Sequence, residues 1–195
     1  MIKYFDFEKT IEEIDLKINK LESKENHNNL DKIEDYKNKR KKLLKKIYTN
    51  LNAWQKVQIA RHPNRPHCLD YIKAIFSDFI SLAGDKKYGE DKSIIGGLGK
   101  IDNQTFMIIG TEKGHSMESR IKHNFGMAKP EGYRKSQRLM LLSEKFNIPI
   151  ITFVDTAGAF PGKEAEERGQ SESIANSIAV SLKVRVPIIS IIIGE

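Results

Sequence analysis

The sequence has one cysteine, Cys68, so no intrachain disulfide can form and no zinc site built on several cysteines exists. It has no apolar run near the roughly 18 residues of a membrane span. The opening "MIKYFDFEKT" carries acidic residues and no long apolar stretch, so it does not read as a signal peptide. These absences point to a soluble, reducing, cytoplasmic setting. The phosphate cradle G-x-x-x-x-G-K-[ST] is also absent. "GGLGKID" (96–102) has the wrong spacing and puts Ile101 where a hydroxyl is needed, and "GTEKGH" (110–115) fails as well. That excludes a GTPase, although "ITFVDTAG" (151–158) ends like the strand of a nucleotide switch. No G-x-G-x-x-G follows a strand, and no Ser sits in a G-x-S-x-G elbow. The five histidines, His27, His62, His67, His115 and His123, lack the i, i+4 spacing of a metal helix. His62 and His67 flank prolines and read as loop caps.

What is present falls into two parts. Residues 1–50 contain no Gly or Pro and are rich in Lys, Glu, Asp and Asn. Ile11, Ile14, Ile18 and Leu21 line one helical face, "SKENHNN" (23–29) breaks the pattern, and Ile33, Tyr36, Arg40, Leu43, Ile47 and Leu51 resume it with an Arg in one apolar slot. This predicts an antiparallel helical hairpin over 1–52. Within it, "KNKRKKLLKK" (37–46) is a basic run that reads as a solvated helix face. The net charge of +7 permits anionic partners, nucleic acid or coenzyme A phosphates alike, without requiring either. Nucleic-acid binding through Lys39–Lys46 is a minor alternative, because only Tyr36 and Tyr48 lie near for stacking.

Residues 53–195 read as α/β. Two prolines in "RHPNRPHCLDY" force an extended loop. Asp70 is a candidate helix cap, and Tyr71, Ile72, Ile75, Phe76 and Phe79 predict a helix ending near Gly84. "SIIGGLGKIDNQTFMIIG" (93–110) predicts a β-hairpin turning at Asp102-Asn103. A helix over 131–147, a doubly buried strand "IPIITFVD", a helix over 165–184 and a second buried strand "VPIISIIIGE" make a βαβ unit with parallel strands. Glycines mark the strand ends: Gly110 and Gly114 flank "TEK", and Gly158 and Gly162 flank "AFP". Such loops bring backbone N–H groups close to an oxygen-rich ligand.

These residues resemble a known family. "FDFEKTIEEIDLKI", "AWQKVQIARHPNRPHCLDYI", "EDKSIIGGLGKID", "IKHNFGMAKPEGYRKSQRLMLLSEKFNIPIITFVDTAGAFPG" and "AEERGQSESIA" look like the alpha subunit of bacterial acetyl-coenzyme A carboxylase carboxyltransferase, from about residue 4 to 195. The resemblance implies a crotonase-like (ClpP/crotonase) superhelix of ββα units, here truncated, behind the helical hairpin. It implies an α2β2 enzyme with a beta subunit, working with biotin carboxylase and the biotin carboxyl carrier protein. The reaction it implies moves a carboxyl group from carboxybiotin to acetyl-CoA, giving malonyl-CoA for fatty acid synthesis. In that scheme carboxybiotin releases CO₂, the ureido group takes a proton from the acetyl methyl, and the enolate attacks CO₂ while backbone oxyanion holes stabilise the oxyanions.

The alpha subunit is implied to serve the biotin side. Biotin is therefore the implied cofactor, carried on the carrier protein, and no metal is expected in this chain. The implied carboxybiotin-side loops are Asp155, Thr156, Gly158, Ala159, Phe160, Pro161 and Gly162, with Lys113 and Gly114; Arg168, Gly169 and Gln170 give support. No catalytic side chain is implied, since the family's backbone oxyanion donors lie beyond Glu195. Three departures stand out: Ala157 replaces a usual Pro, Phe160 a usual Tyr, and Thr111-Glu112 a usual His-Gln pair. Because "IGE" ends the sequence on an apolar strand, the expectation is a fragment or a pared-down subunit, inactive alone or reduced to binding the beta subunit.

Overall fold

The structure, a computed structural model, describes residues 3–23 and 29–195. The break read in "SKENHNN" lies largely outside the described residues. The chain divides into two compact units, Met1–Asn64 and Arg65–Glu195. The division follows residue 64 rather than residue 52.

The first unit contains α1 (Lys9–Glu22), α2 (Leu30–Thr49) and α3 (Ala53–Ala60). Three cross-links prove that α1 and α2 are antiparallel: Lys37 to Glu22 at 2.9 Å, Arg40 to Asp15 at 2.5 Å, and the Tyr48 hydroxyl to Glu8. Residue numbers rise on one helix as they fall on the other. They also explain the Arg in the apolar slot. Arg40 reaches across the hairpin to Asp15, whose second oxygen accepts from the Tyr4 hydroxyl at 2.7 Å. Ile11 and Ile18 are buried, while α2 buries no residue fully, so its basic run is a solvated face. Tyr36 lies under Lys39, and Tyr48 is held by Glu8, so both aromatics near that run have partners.

The second unit holds α4 (Cys68–Ile75), β1 (Ser77–Ser81), β2 (Ile94–Ile101), β3 (Gln104–Thr111), α5 (Met117–Lys122), α6 (Pro130–Lys145), β4 (Ile150–Val154), α7 (Lys163–Glu167), α8 (Gln170–Lys183) and β5 (Ile188–Ile192). The sheet order is β1-β2-β3-β4-β5, antiparallel across β1, β2 and β3 and parallel across β3, β4 and β5. β2 and β3 turn at Asp102-Asn103 in full register, Ile101 opposite Gln104 and Ile94 opposite Thr111. Side chains of β3 alternate between two cores. Ile108 joins Cys68, Ile72, Ile151 and Phe153 beneath α4. Met107 and Ile109 join Ile94, Leu139 and Ile150 beneath α6.

Four expectations are corrected. The helix read through Phe79 stops at Ile75, and 77–81 is a strand; Phe76 and Phe79 continue the apolar spacing, but Phe76 is already extended and Asp78 turns left-handed (φ 52°). The helix over 165–184 is two helices, because Gly169 adopts φ +78° between α7 and α8, a conformation that glycine tolerates. Gly110 is not a loop residue. It lies inside β3, where a Cβ would stand 2.4 Å from the Cys68 sulfur, so its role is close packing. β5 is not buried on both faces; it is the sheet edge, with Ile189 and Ile192 exposed.

Candidate functional site

Parallel strands deliver their C-terminal ends to one edge of the sheet, where open α/β sheets place ligands. Here β3, β4 and β5 end side by side, and Lys113 ties the three ends together. Its ammonium lies 2.9 Å from Asp155 Oδ1 and 2.5 Å from Glu195 Oε1. The backbone N–H of Glu195 donates to Asp155 Oδ1 at 3.2 Å, and that of Thr156 donates to the Glu195 carbonyl at 3.1 Å. Arg65 donates twice to the Ile193 carbonyl. Thr111 Oγ1 accepts from the Asp155 N–H at 2.7 Å.

Asp155 is buried. Burial alone would raise its carboxyl; the nearby His67 ring, the Lys113 ammonium and the Glu195 amide outweigh that and hold it at about 2. His67 Nδ1 is 3.7 Å from Asp155 Oδ2, beyond hydrogen-bond range, so Lys113 is the direct contact. The His67 ring sits edge-on to His115, which contacts Asp70 at 2.7 Å. His67 is the residue before α4, and its N–H donates to Asp70 Oδ2 at 2.8 Å, so Asp70 serves the cap from the third helical position rather than as the cap itself. His62 closes a turn, with Nδ1 accepting from the Asn64 N–H.

The departures at 111–112 have local roles. Glu112 is buried, with one carboxylate oxygen accepting from the Leu69 N–H at 2.9 Å and the other from the Gly114 N–H at 2.7 Å. The Gly114 N–H is thereby used inside the protein. The Cys68 thiol is pushed up, first by burial and then by the carboxylates of Glu112, Asp155 and Asp70, so it is no nucleophile.

The 156–162 loop leaves this cluster and folds onto a second one. Thr156 Oγ1 donates to the Gly126 carbonyl at 2.7 Å and accepts from the Gly158 N–H at 3.0 Å. Gly158, at φ +141°, faces open space: a Cβ there would meet nothing within 4 Å. Ala159 pairs with Ala128 in a parallel bridge, and the Phe160 N–H donates to the Ala128 carbonyl at 3.0 Å. Pro161 is exposed, and Gly162 precedes α7. Lys129 lies 4.9 Å over the Phe160 ring and 2.8 Å from Glu164. Gln170, buried at the start of α8, donates to both the Ala128 and Phe160 carbonyls, while Arg168 pairs with buried Glu131 at 2.6 Å. So Lys113, Asp155 and Thr156 share one cluster, and Ala159, Phe160, Arg168 and Gln170 a second one beside it. Sequence reasoning missed Glu195, Arg65 and Gly126, which reach the site through contacts with residues far along the chain.

Asp155 and Asp85 make a pH prediction. Burial would raise the Asp85 carboxyl too, but the Lys87 and Tyr88 amides, Arg134 and the Gly89 amide hold it at about 2. Both are depressed, so their stabilisation is complete above the unfolded value near 4 and is lost as pH falls toward 2. Urea denaturation from pH 6 to pH 2 is expected to show stability falling below about pH 4, with a shallower fall in the Asp85→Asn, Asp155→Asn double variant. Equal slopes in the two proteins would contradict this.

Five strands with helices on both faces and the loops gathered at the parallel strand ends belong to a truncated crotonase-like fold. Solved structures agree on the fold: the beta subunit of geranyl-CoA carboxylase from P. aeruginosa (TM-score 0.54, 21% identity, 68% of this chain and 23% of that one) and the transcarboxylase 12S structure (TM-score 0.54, 20% identity, 66% of this chain and 23% of that one). The family described as acetyl co-enzyme A carboxylase carboxyltransferase-like matches residues 4–195, and the chain belongs to it. The acetyl-coenzyme A carboxylase carboxyl transferase subunit alpha of Zymomonas mobilis is 54% identical over the whole chain, and that of Paramagnetospirillum magneticum is 53% identical over 97% of it. The chain spans 63% and 61% of the length of these relatives. Among the described residues no helix is long and apolar enough to cross a membrane.

Proposed function

We propose that this chain is an alpha-type component of an acetyl-CoA carboxylase carboxyltransferase, serving the biotin side of carboxyl transfer to acetyl-CoA in the cytoplasm. The observation that carries this reading is the family match over residues 4–195, coinciding with three strand ends tied by Lys113. The partners proposed are a beta subunit in an α2β2 assembly, biotin carboxylase and the biotin carboxyl carrier protein.

Biotin on the carrier protein would supply the activated carboxyl group. The residues fit its approach. Gly158 leaves open space beside the loop, so a flat ring can come close to the backbone. Lys113 pairs with both Asp155 and Glu195 and so holds the strand end from which the loop leaves. Thr156 fixes the loop through Gly126 and Gly158. Gln170 binds the carbonyls of Ala128 and Phe160 and so sets where "AFPG" runs. The chain's task on this reading is positioning: well-aligned reactants account for a large share of a barrier, and a 1 Å misplacement costs about 10²-fold.

A native mass spectrum of the complex purified from source cells tests the partnership. Equal numbers of this subunit and a beta subunit are expected. A species containing this subunit and never a beta subunit would contradict it.

A further inference from the structure

Phe125 holds a half-open aromatic ring on a backbone that disfavours bulky side chains. Its backbone is left-handed (φ 54°, ψ 25°), between Asn124 at φ 47° and Gly126 at φ 76°. Asn and Gly tolerate that region; a bulky side chain is a genuine outlier there. The residue is 43% exposed and belongs to neither core, so much of its ring stays open to solvent. Among the described residues, its ring pairs with no other aromatic ring and lies under no cation.

The backbone around it is pinned on both sides. Buried His123 contacts the Lys92 carbonyl at 2.6 Å, and the Asn124 amide donates to the Met127 carbonyl at 2.7 Å. The Gly126 carbonyl accepts from Thr156 Oγ1, and Gly126 packs so tightly that a Cβ would stand 2.7 Å from the Lys113 side chain and 3.3 Å from the Asp155 carbonyl. Consecutive Cα atoms are about 3.8 Å apart, so Phe125 stands at the rim of the strand-end site. Strained backbone that the surroundings enforce gathers where a ligand must be met.

We propose that Phe125 is a stacking platform for a flat, uncharged heterocycle of the incoming substrate, and thereby a specificity-determining residue of this site. The inference rests on the carboxyl-transfer reading, in which two such rings exist: the ureido ring of biotin and the adenine of coenzyme A. An aromatic face offers both apolar contact and a matched quadrupole to such a ring, and a rigidly held face loses little entropy on binding.

The test is steady-state kinetics of the complex with its beta subunit, using malonyl-CoA and biocytin as substrates, for wild type, Phe125→Leu, Phe125→Tyr and Phe125→Gly. Leu keeps the apolar bulk and the backbone cost but removes the flat face; Tyr keeps the face. Gly removes the ring and relieves the left-handed backbone, so it separates binding from folding. Phe125→Leu and Phe125→Gly are expected to raise one KM about 5- to 10-fold with kcat within about twofold, while Phe125→Tyr stays near wild type. An increase confined to biocytin assigns the ring to biotin, and one confined to malonyl-CoA assigns it to adenine. Unchanged KM values for both substrates in Phe125→Leu, or a Tyr variant as impaired as Leu, would overturn the proposal. Wild-type complex without transfer would instead overturn the functional reading.

Discussion

Replacing Lys135 by Met is expected to lower the melting temperature of the protein by about 6–20 °C, the largest stability effect of any single change considered. Lys135 is 1% exposed in the middle of α6. Its three ammonium protons are used in full: by the Asp91 carbonyl at 2.8 Å, the Ile94 carbonyl and the Glu90 carboxylate. Those carbonyls belong to the segment that leads into β2, so Lys135 fastens α6 to the entry of the sheet. Met keeps the volume and removes every donor. Breaking a buried, hydrogen-bonded charge costs about 3–5 kcal/mol. At about 2–4 °C per kcal/mol for a chain of this size, that gives the range stated. Glu90 keeps some solvent access, so most of the loss is assigned to the two carbonyls. Thermal unfolding followed by circular dichroism measures it. A shift under about 2 °C would mean that water replaces the ammonium without loss, and the fastening described would be wrong.

The second large effect concerns function. Asp155→Asn is expected to reduce carboxyl transfer by the assembled complex about 10²-fold. Asn preserves shape and can still accept from the Glu195 N–H, but it removes the charge that holds Lys113 between β3 and β5. Lys113 then follows Glu195 alone, and the loop from Thr156 onward loses its fixed origin. The expected signature is a fall in kcat larger than any rise in KM, because the residue positions reactants and contacts none. Stability should drop by about 1–3 kcal/mol, since Lys113 loses one of its two carboxylate partners while the Glu195 N–H keeps its acceptor. Full transfer activity in a destabilised Asp155→Asn protein would separate the knot from the chemistry and remove Asp155 from the site.

These two residues also show what was legible from sequence. Asp155 stands out because an apolar strand runs into it and glycines follow; the strand-end loop was readable as a place for a ligand. Its partners were not. Lys113 lies 42 positions earlier and Glu195 lies 40 positions later, and only the parallel register of β3, β4 and β5 brings them together. Lys135 sits in a helix whose start at Pro130 and whose apolar face are plain in the sequence, yet nothing local distinguishes a buried lysine from a solvated one. The β2–β3 hairpin was readable because its register follows from a two-residue turn. β1 was not, because Tyr71, Ile72, Ile75, Phe76 and Phe79 fit one helical stripe while pairing with β2 decides otherwise. Gly169 divides two helices inside a polar stretch, Glu166 to Ser173, that has no apolar spacing to mark the break. The Arg in the apolar slot of α2 became intelligible only with Asp15 opposite.

The most direct measurement is carboxyl transfer itself: malonyl-CoA formed from acetyl-CoA and carboxylated carrier protein, by the beta subunit with and without this subunit purified from source cells. The account predicts product only when both are present, and a loss of about 10²-fold when Asp155 is changed to Asn. Equal product with the subunit omitted would contradict it.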